Sequence, residues 1–187
     1  MDQPASPIPG HLSRELFALL PEAPALLVLD FDGVLTDDRV YVSEDGKESV
    51  CCTRGDGMGT TLLRRAGFPV LVISTEKNPV VAARCTKLKV ECVQGVADKT
   101  ADLRRLLQDR GIDPARVIFV GNDVNDIGCA RIAGASFAVA DAHPLLKLAV
   151  KGVLSHPGGR GAVREVAELI LTKLGHEIVY NESDRTR

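Results

Sequence analysis

The chain has 187 residues, long enough for one domain with a sizeable core, and 45% of them are hydrophobic, which excludes a disordered chain. Lysine and arginine number 23 against 25 aspartates and glutamates, and the resulting net charge of -2 gives no reason to expect nucleic-acid binding. The five cysteines (Cys51, Cys52, Cys85, Cys92, Cys129) are odd in number and lack CxxC spacing, which argues against a disulfide framework or a thiolate zinc site and for a reducing cytoplasm.

The first ten residues read as a proline-rich tail, with no basic region and apolar run of a signal peptide. Ser13 is placed to cap a short helix reaching about Leu20, which Pro21 and Pro24 stop. ALLVLD, residues 25–30, is a continuous apolar run of strand length, the pattern of a parallel strand buried on both faces. Residues 39–51 alternate around Asp45–Gly46, which predicts a β-hairpin. A helix is expected over 56–66, ended by Gly67, then a buried strand over 70–74. Asn78 and Pro79 open a helix to about Leu88, and a short strand covers 90–93. An amphipathic helix is expected over 98–110, strands over 116–121 and 136–139, and a last helix from about Ala162 to Leu174. No stretch has the length of a membrane span.

Strands alternating with helices predict right-handed βαβ crossovers and a mainly parallel sheet, whose ligands bind beyond the carboxyl ends of the strands. The boundaries read as a tail with a short helix over 1–24, one domain over 25–174 and a polar tail over 175–187. Asp30, Ser74 and the 121–126 segment all fall just past strands, and Lys99 opens a helix after a strand-loop unit. In DFDGVLTDD, Asp30 ends the strand and Gly33 gives the loop a tight path past Asp32. An aspartate can attack phosphorus if a cation relieves charge repulsion, and a second can move protons to the leaving oxygen and from water. Magnesium suits such a site because it takes oxygen ligands, keeps waters and bridges protein to phosphate.

DFDGVLTDD, Ser74 after VLVIS, Lys99 in VADKTADL and GNDVNDIG together resemble the four motifs of the haloacid dehalogenase-like phosphatases. The resemblance implies a three-layer α/β/α Rossmann-like domain. It makes Asp30 the nucleophile, Asp32 the general acid/base, Ser74 a phosphate donor and Lys99 the cation that neutralises phosphate and nucleophile. Magnesium would be held by Asp30, the Asp32 carbonyl and the Asn122–Asp123 region, with Asp126 holding Lys99. Asn122 departs from the family, which has an acid there, and an amide contributes no charge to the metal.

The chain has the hairpin but no insertion long enough for a large cap. It resembles the capless branch whose members dephosphorylate 3-deoxy-2-keto sugar acid phosphates, and whose modules also occur fused behind acylneuraminate cytidylyltransferases. GGRGAVREVAELIL, residues 158–171, matches that branch, which implies a homotetramer with neighbouring subunits completing each cleft and Arg160 meeting a substrate carboxylate. Thr75 and Glu76 stand where octulosonate 8-phosphate phosphatases tend to have Gly-Arg, and the nonulosonate 9-phosphate phosphatases resemble the chain more closely, with a Glu there and a Lys near Lys87, so a nonulosonate 9-phosphate is the preferred substrate and an octulosonate 8-phosphate the runner-up. TRGDGMG resembles a D-x-x-G turn at Asp56 to Gly59, with Arg54 near phosphate or sugar. His143 is expected to cap or pack. The rival functions are an inactive or weakly active oligomerization module, which Asn122 keeps open, and a receiver-like signalling domain, against which DFDG places acceptor and acid/base candidates together.

Overall fold

The computed structural model describes residues 8–178; the polar NESDRTR end and the first seven residues lie outside them. Its central sheet has six strands, all parallel: β1 (Leu26–Leu29), β4 (Val70–Ile73), β5 (Glu91–Val93), β6 (Val117–Gly121), β7 (Ala135–Ala138) and β8 (Gly152–Val153), in the order β5-β4-β1-β6-β7-β8. Strands β1, β4, β6 and β7 are buried along their whole length, as continuous apolar runs demand when helices cover both faces. The helices are α1 (Arg14–Ala18), α2 (Arg54–Arg65), α3 (Val80–Leu88), α4 (Lys99–Asp109), α5 (Ile127–Ile132), α6 (Pro144–Ala149) and α7 (Ala162–Lys173). The three-layer α/β/α architecture is therefore the one the sequence predicts.

The hairpin is a separate antiparallel pair, β2 (Thr36–Val42) and β3 (Glu48–Cys52), with Gly46 at φ 78 in its turn. It starts earlier than expected, at Thr36, and a register shift between Thr36 and Val40 bulges it near the end of β1. Among the described residues no large cap accompanies it. Ser13 caps α1 by accepting from Leu16 N at 3.3 Å, and Asn78 Oδ1 accepts from Val80 N at 3.1 Å as α3 opens.

Helix α2 begins at Arg54, two residues before the expected start at 56, because Thr53 is its N-cap and accepts from Asp56 N; Asp56 to Gly59 is helix, as the expected 56–66 helix requires, and the D-x-x-G turn likeness does not hold there. The Asp56 carboxylate is fully buried. It accepts from Thr53 Oγ1 (2.6 Å), Gly161 N (3.1 Å) and Arg164 N (3.1 Å), joining the start of α2 to the start of α7. Among the described residues no helix is long and apolar enough to cross a membrane.

Candidate active site

Register explains why distant residues meet. Leu29 of β1 stands beside Val72 of β4 and Val120 of β6, so Asp30, Ser74 and Asn122 leave neighbouring strand tips. Asp30 N donates to Val120 O at 3.0 Å, holding the nucleophile candidate to β6. Asp98 caps α4 by accepting from Thr100 N and Ala101 N, which places Lys99 in the first helical position.

Asp30, Lys99 and Asp126 form a buried triad. Lys99 Nζ lies 2.6 Å from Asp30 Oδ1 and 2.9 Å from Asp126 Oδ1, and all three side chains are nearly inaccessible. Asp30 Oδ1 also accepts from Phe31 N at 2.7 Å. Asp126 Oδ2 accepts from Asn122 N at 2.9 Å and from Asp123 N at 3.3 Å, so one carboxylate orients both the lysine and the loop after β6. Burial works against the Lys99 ammonium, but Asp30 and Asp126 together outweigh it and keep the lysine protonated. Burial, then the Asp126 charge, push the Asp30 carboxyl up to about 8 against the pull of Lys99.

Asp32 is half-buried on the loop after β1. Burial first, then the Glu76, Asp38 and Glu48 carboxylates, raise it to about 6. Burial, Asp123 and Asp141 likewise raise Asp38, while an amide hydrogen bond from Asn122 opposes them. Ser74 is buried and its Oγ accepts from Glu76 N at 3.0 Å. Gly33, at φ +72, packs where a Cβ would lie 1.9 Å from Asn122 Nδ2. The loop before α7 also presses here: a Cβ on Gly158 would lie 1.8 Å from Gly33 O, and Asp141 Oδ1 accepts from Gly158 N at 2.9 Å.

The other predicted site residues spread around this centre. Thr75 and Glu76 are exposed just past β4, and Glu76 Oε1 accepts from Lys77 N (2.6 Å) and Asn78 N (2.8 Å). Asn78 Nδ2 donates to Glu48 Oε2 at 3.0 Å, pinning the hairpin beside that loop. Arg160 is exposed on the loop that packs against residues 33–37, and Arg54 is exposed at the first position of α2. Lys87 is exposed in the last turn of α3, which runs back from the strand tips. His143 caps α6, its Nδ1 accepting from Leu145 N at 3.2 Å. Sequence reasoning missed Asp38 and the buried Asp56 latch, since their partners lie far along the chain.

Among the described residues no three His, Cys, Asp or Glu side chains cluster as a metal site. The oxygens that the family resemblance would offer a metal are instead of mixed kind: the Asp30 carboxylate, the Asp32 carbonyl and the Asn122 amide, with Asp123 next in the chain. The carboxylates that raise Asp32 and Asp38 leave the cleft rich in negative charge, with Lys99 as the opposing cation. An oxygen set in a negative field fits a hard divalent cation that keeps some of its waters.

The model of haloacid dehalogenase-like hydrolases matches residues 75–165. A 3-deoxy-D-manno-octulosonate 8-phosphate phosphatase of Salmonella typhi is 39% identical over 151 residues, 80% of each chain. A HAD family hydrolase from Streptomyces avermitilis superposes with a TM-score of 0.79 at 46% identity, covering 83% of this chain and 90% of that one. A Moraxella catarrhalis octulosonate 8-phosphate phosphatase, solved with magnesium, phosphate and KDO, gives a TM-score of 0.80 at 28% identity over 85% of this chain and 91% of that one. Sequence, fold and the Asp30–Lys99–Asp126 arrangement agree, and the chain belongs to the haloacid dehalogenase-like hydrolases, among relatives of the octulosonate 8-phosphate phosphatases.

Proposed function

We propose that this phosphoric monoester hydrolase removes phosphate from 3-deoxy-D-manno-octulosonate 8-phosphate through an aspartyl-phosphate at Asp30. The observation that carries the reading is the buried Asp30–Lys99–Asp126 triad at the strand tips, with Asp32 beside it. The preference for a nonulosonate 9-phosphate gives way, because relatives matched over most of the chain act on the octulosonate. That preference rested on Thr75, Glu76 and Lys87 alone, and Glu76 has an oxygen engaged by its own loop.

Asp30 attacks phosphorus, forming an acyl-phosphate bond as the ester P–O bond breaks. Asp32, whose raised pKa suits a proton donor near neutrality, gives its proton to the departing sugar alkoxide. As a carboxylate it then takes a proton from water, which attacks phosphorus and frees Asp30. Lys99 and the Ser74 hydroxyl stabilise the transferring oxygens. Magnesium, when bound by Asp30, the Asp32 carbonyl and Asn122 with Asp123 in support, supplies the positive charge that lets an anionic nucleophile meet an anionic phosphate.

Arg160 is the candidate for the sugar carboxylate because a guanidinium fork matches it, with Arg54, Thr75 and Glu76 at the rim. A homotetramer with hairpins packed together would let Lys87 reach a neighbour's cleft. Val40, Tyr41 and Val42 of the hairpin are 53%, 55% and 66% exposed, which supports such packing. Purified protein with magnesium is expected to release phosphate from octulosonate 8-phosphate faster than from a nonulosonate 9-phosphate, and Asp30→Asn to abolish release. No release from either by folded, metal-supplied protein would overturn the assignment; the reverse order would restore the nonulosonate.

A further inference from the structure

We propose that Asp38 is a positioning residue that aims the Asn122 amide, turning its Oδ1 into the cleft as a neutral cation ligand. The inference rests on the magnesium reading above. The Asn122 main chain is clamped on both sides. Its N–H donates to Asp126 Oδ2 at 2.9 Å and its carbonyl accepts from His143 N at 2.7 Å. The side chain therefore leaves a fixed point, and the remaining freedom is which end of the amide faces where.

Two contacts decide that. Nδ2 lies against Gly33, in the space that a Cβ there would fill at 1.9 Å, and it faces Asp38 Oδ1 at 3.4 Å. A carboxylate only accepts hydrogen bonds, so the flipped amide would set oxygen against oxygen. The nitrogen is held toward Asp38 and the oxygen is directed away from it. A family carboxylate at this position would not need such steering, because both its ends are oxygens. With Asn122 the orientation must come from outside, as hydrogen-bond partners of metal ligands commonly provide.

The backbone of Asp38 gives an independent indication. Asp38 and Lys89 are the non-glycine residues with positive φ among the described residues, at 62° and 57°. Lys89 is a helix C-cap, where that conformation is common, but Asp38 lies inside β2. Left-handed geometry there costs on the order of 1 kcal/mol, and it coincides with the register shift between Thr36 and Val40. Bulges re-aim side chains, and strained residues gather where structure serves a site. Buried Thr36 ties the device to the catalytic loop, its Oγ1 accepting from Gly33 N at 3.0 Å and from Asp38 N at 3.3 Å. Asp37, Asp123 and Asp141 also bear on Asp38, so a carboxylate at position 122 would add to a group of like charges.

The test reads metal binding without substrate: Mn2+ affinity of the full chain, from the free Mn2+ signal in electron paramagnetic resonance. Asp38→Gly keeps the backbone conformation and removes the acceptor. It should weaken Mn2+ binding about tenfold, the low end for lost outer partners of a metal ligand. In an Asn122→Asp background the same substitution should cost less than about threefold, because no amide needs orienting. Asp38→Asn, which keeps an acceptor oxygen and tolerates positive φ, should stay within about threefold of wild type. Equal losses from Asp38→Gly in both backgrounds, no loss in either, or an Asp38→Asn loss as large as that of glycine would overturn the proposal while leaving the magnesium reading intact. No Mn2+ bound by the wild-type chain would remove both.

Discussion

Asp30 illustrates what a buried carboxylate costs the fold. Its pKa, raised to about 8 by burial and Asp126, lies above the ordinary value of 3.8. The folded chain thus holds a proton on Asp30 more tightly than the unfolded chain does. The sign follows: stability from this group falls as pH rises from about 4 to 8, and the full penalty stands above 8. Asp30→Asn removes the charge, so in chelator at pH 8 the variant should resist urea better than wild type. The advantage should shrink by pH 5, and magnesium should narrow it at pH 8 by stabilising wild type alone. Equal urea midpoints at pH 8 in chelator would contradict this account. Gains of stability on removing a catalytic charge are common where sites are built for function. The residues of this triad were legible one by one in the sequence, since each sits just past a strand or at a helix start. Their mutual distances were not, because they depend on the register across β5, β4, β1 and β6.

Helices α2 and α7 depend on one buried acid. Asp56 accepts from Gly161 N and Arg164 N, two amides at the start of α7, as well as from Thr53 Oγ1. Asp56→Ala leaves those amides without their acceptor and should destabilise the protein by about 3 kcal/mol, as hydrogen bonds to a buried charge suggest. Asp56→Asn, which keeps an acceptor, should cost roughly half as much. Urea unfolding measures both, and a cost for alanine no greater than for asparagine would contradict the latch. In the sequence Asp56 read only as the start of a helix or of a local turn, because its deciding partners lie more than 100 residues away. The apolar strands were legible because burial on both faces leaves an uninterrupted run. Helix α6 and the two-residue β8 were not, since six and two residues are too short to show a period. The start of the hairpin was also misplaced, because the bulge at Thr36 breaks the alternation that marks a strand.

At the scale of the molecule, the sheet supplies the site and the hairpin supplies an uncovered surface. Successive strand residues point to opposite faces, so exposure of Val40, Tyr41 and Val42 leaves apolar groups on both faces of β2. If hairpins pack together in a tetramer, Val40→Asp with Val42→Asp should give a monomer by sedimentation while the circular dichroism spectrum stays that of wild type. A tetramer that survives both substitutions would place the contact elsewhere, and a wild-type monomer would exclude the assembly.

The strand order also bears on how the chain is made. Strand β1 is the first of the sheet to leave the ribosome, yet it ends up between β4 and β6, which begin at Val70 and Val117. Until both arrive, Leu26–Leu29 is an apolar strand with open edges, and pairing across such sequence distances is slow. A chain cut short before Val117 would keep Asp30 but leave one side of its strand unpaired, a template for aggregation rather than a smaller enzyme.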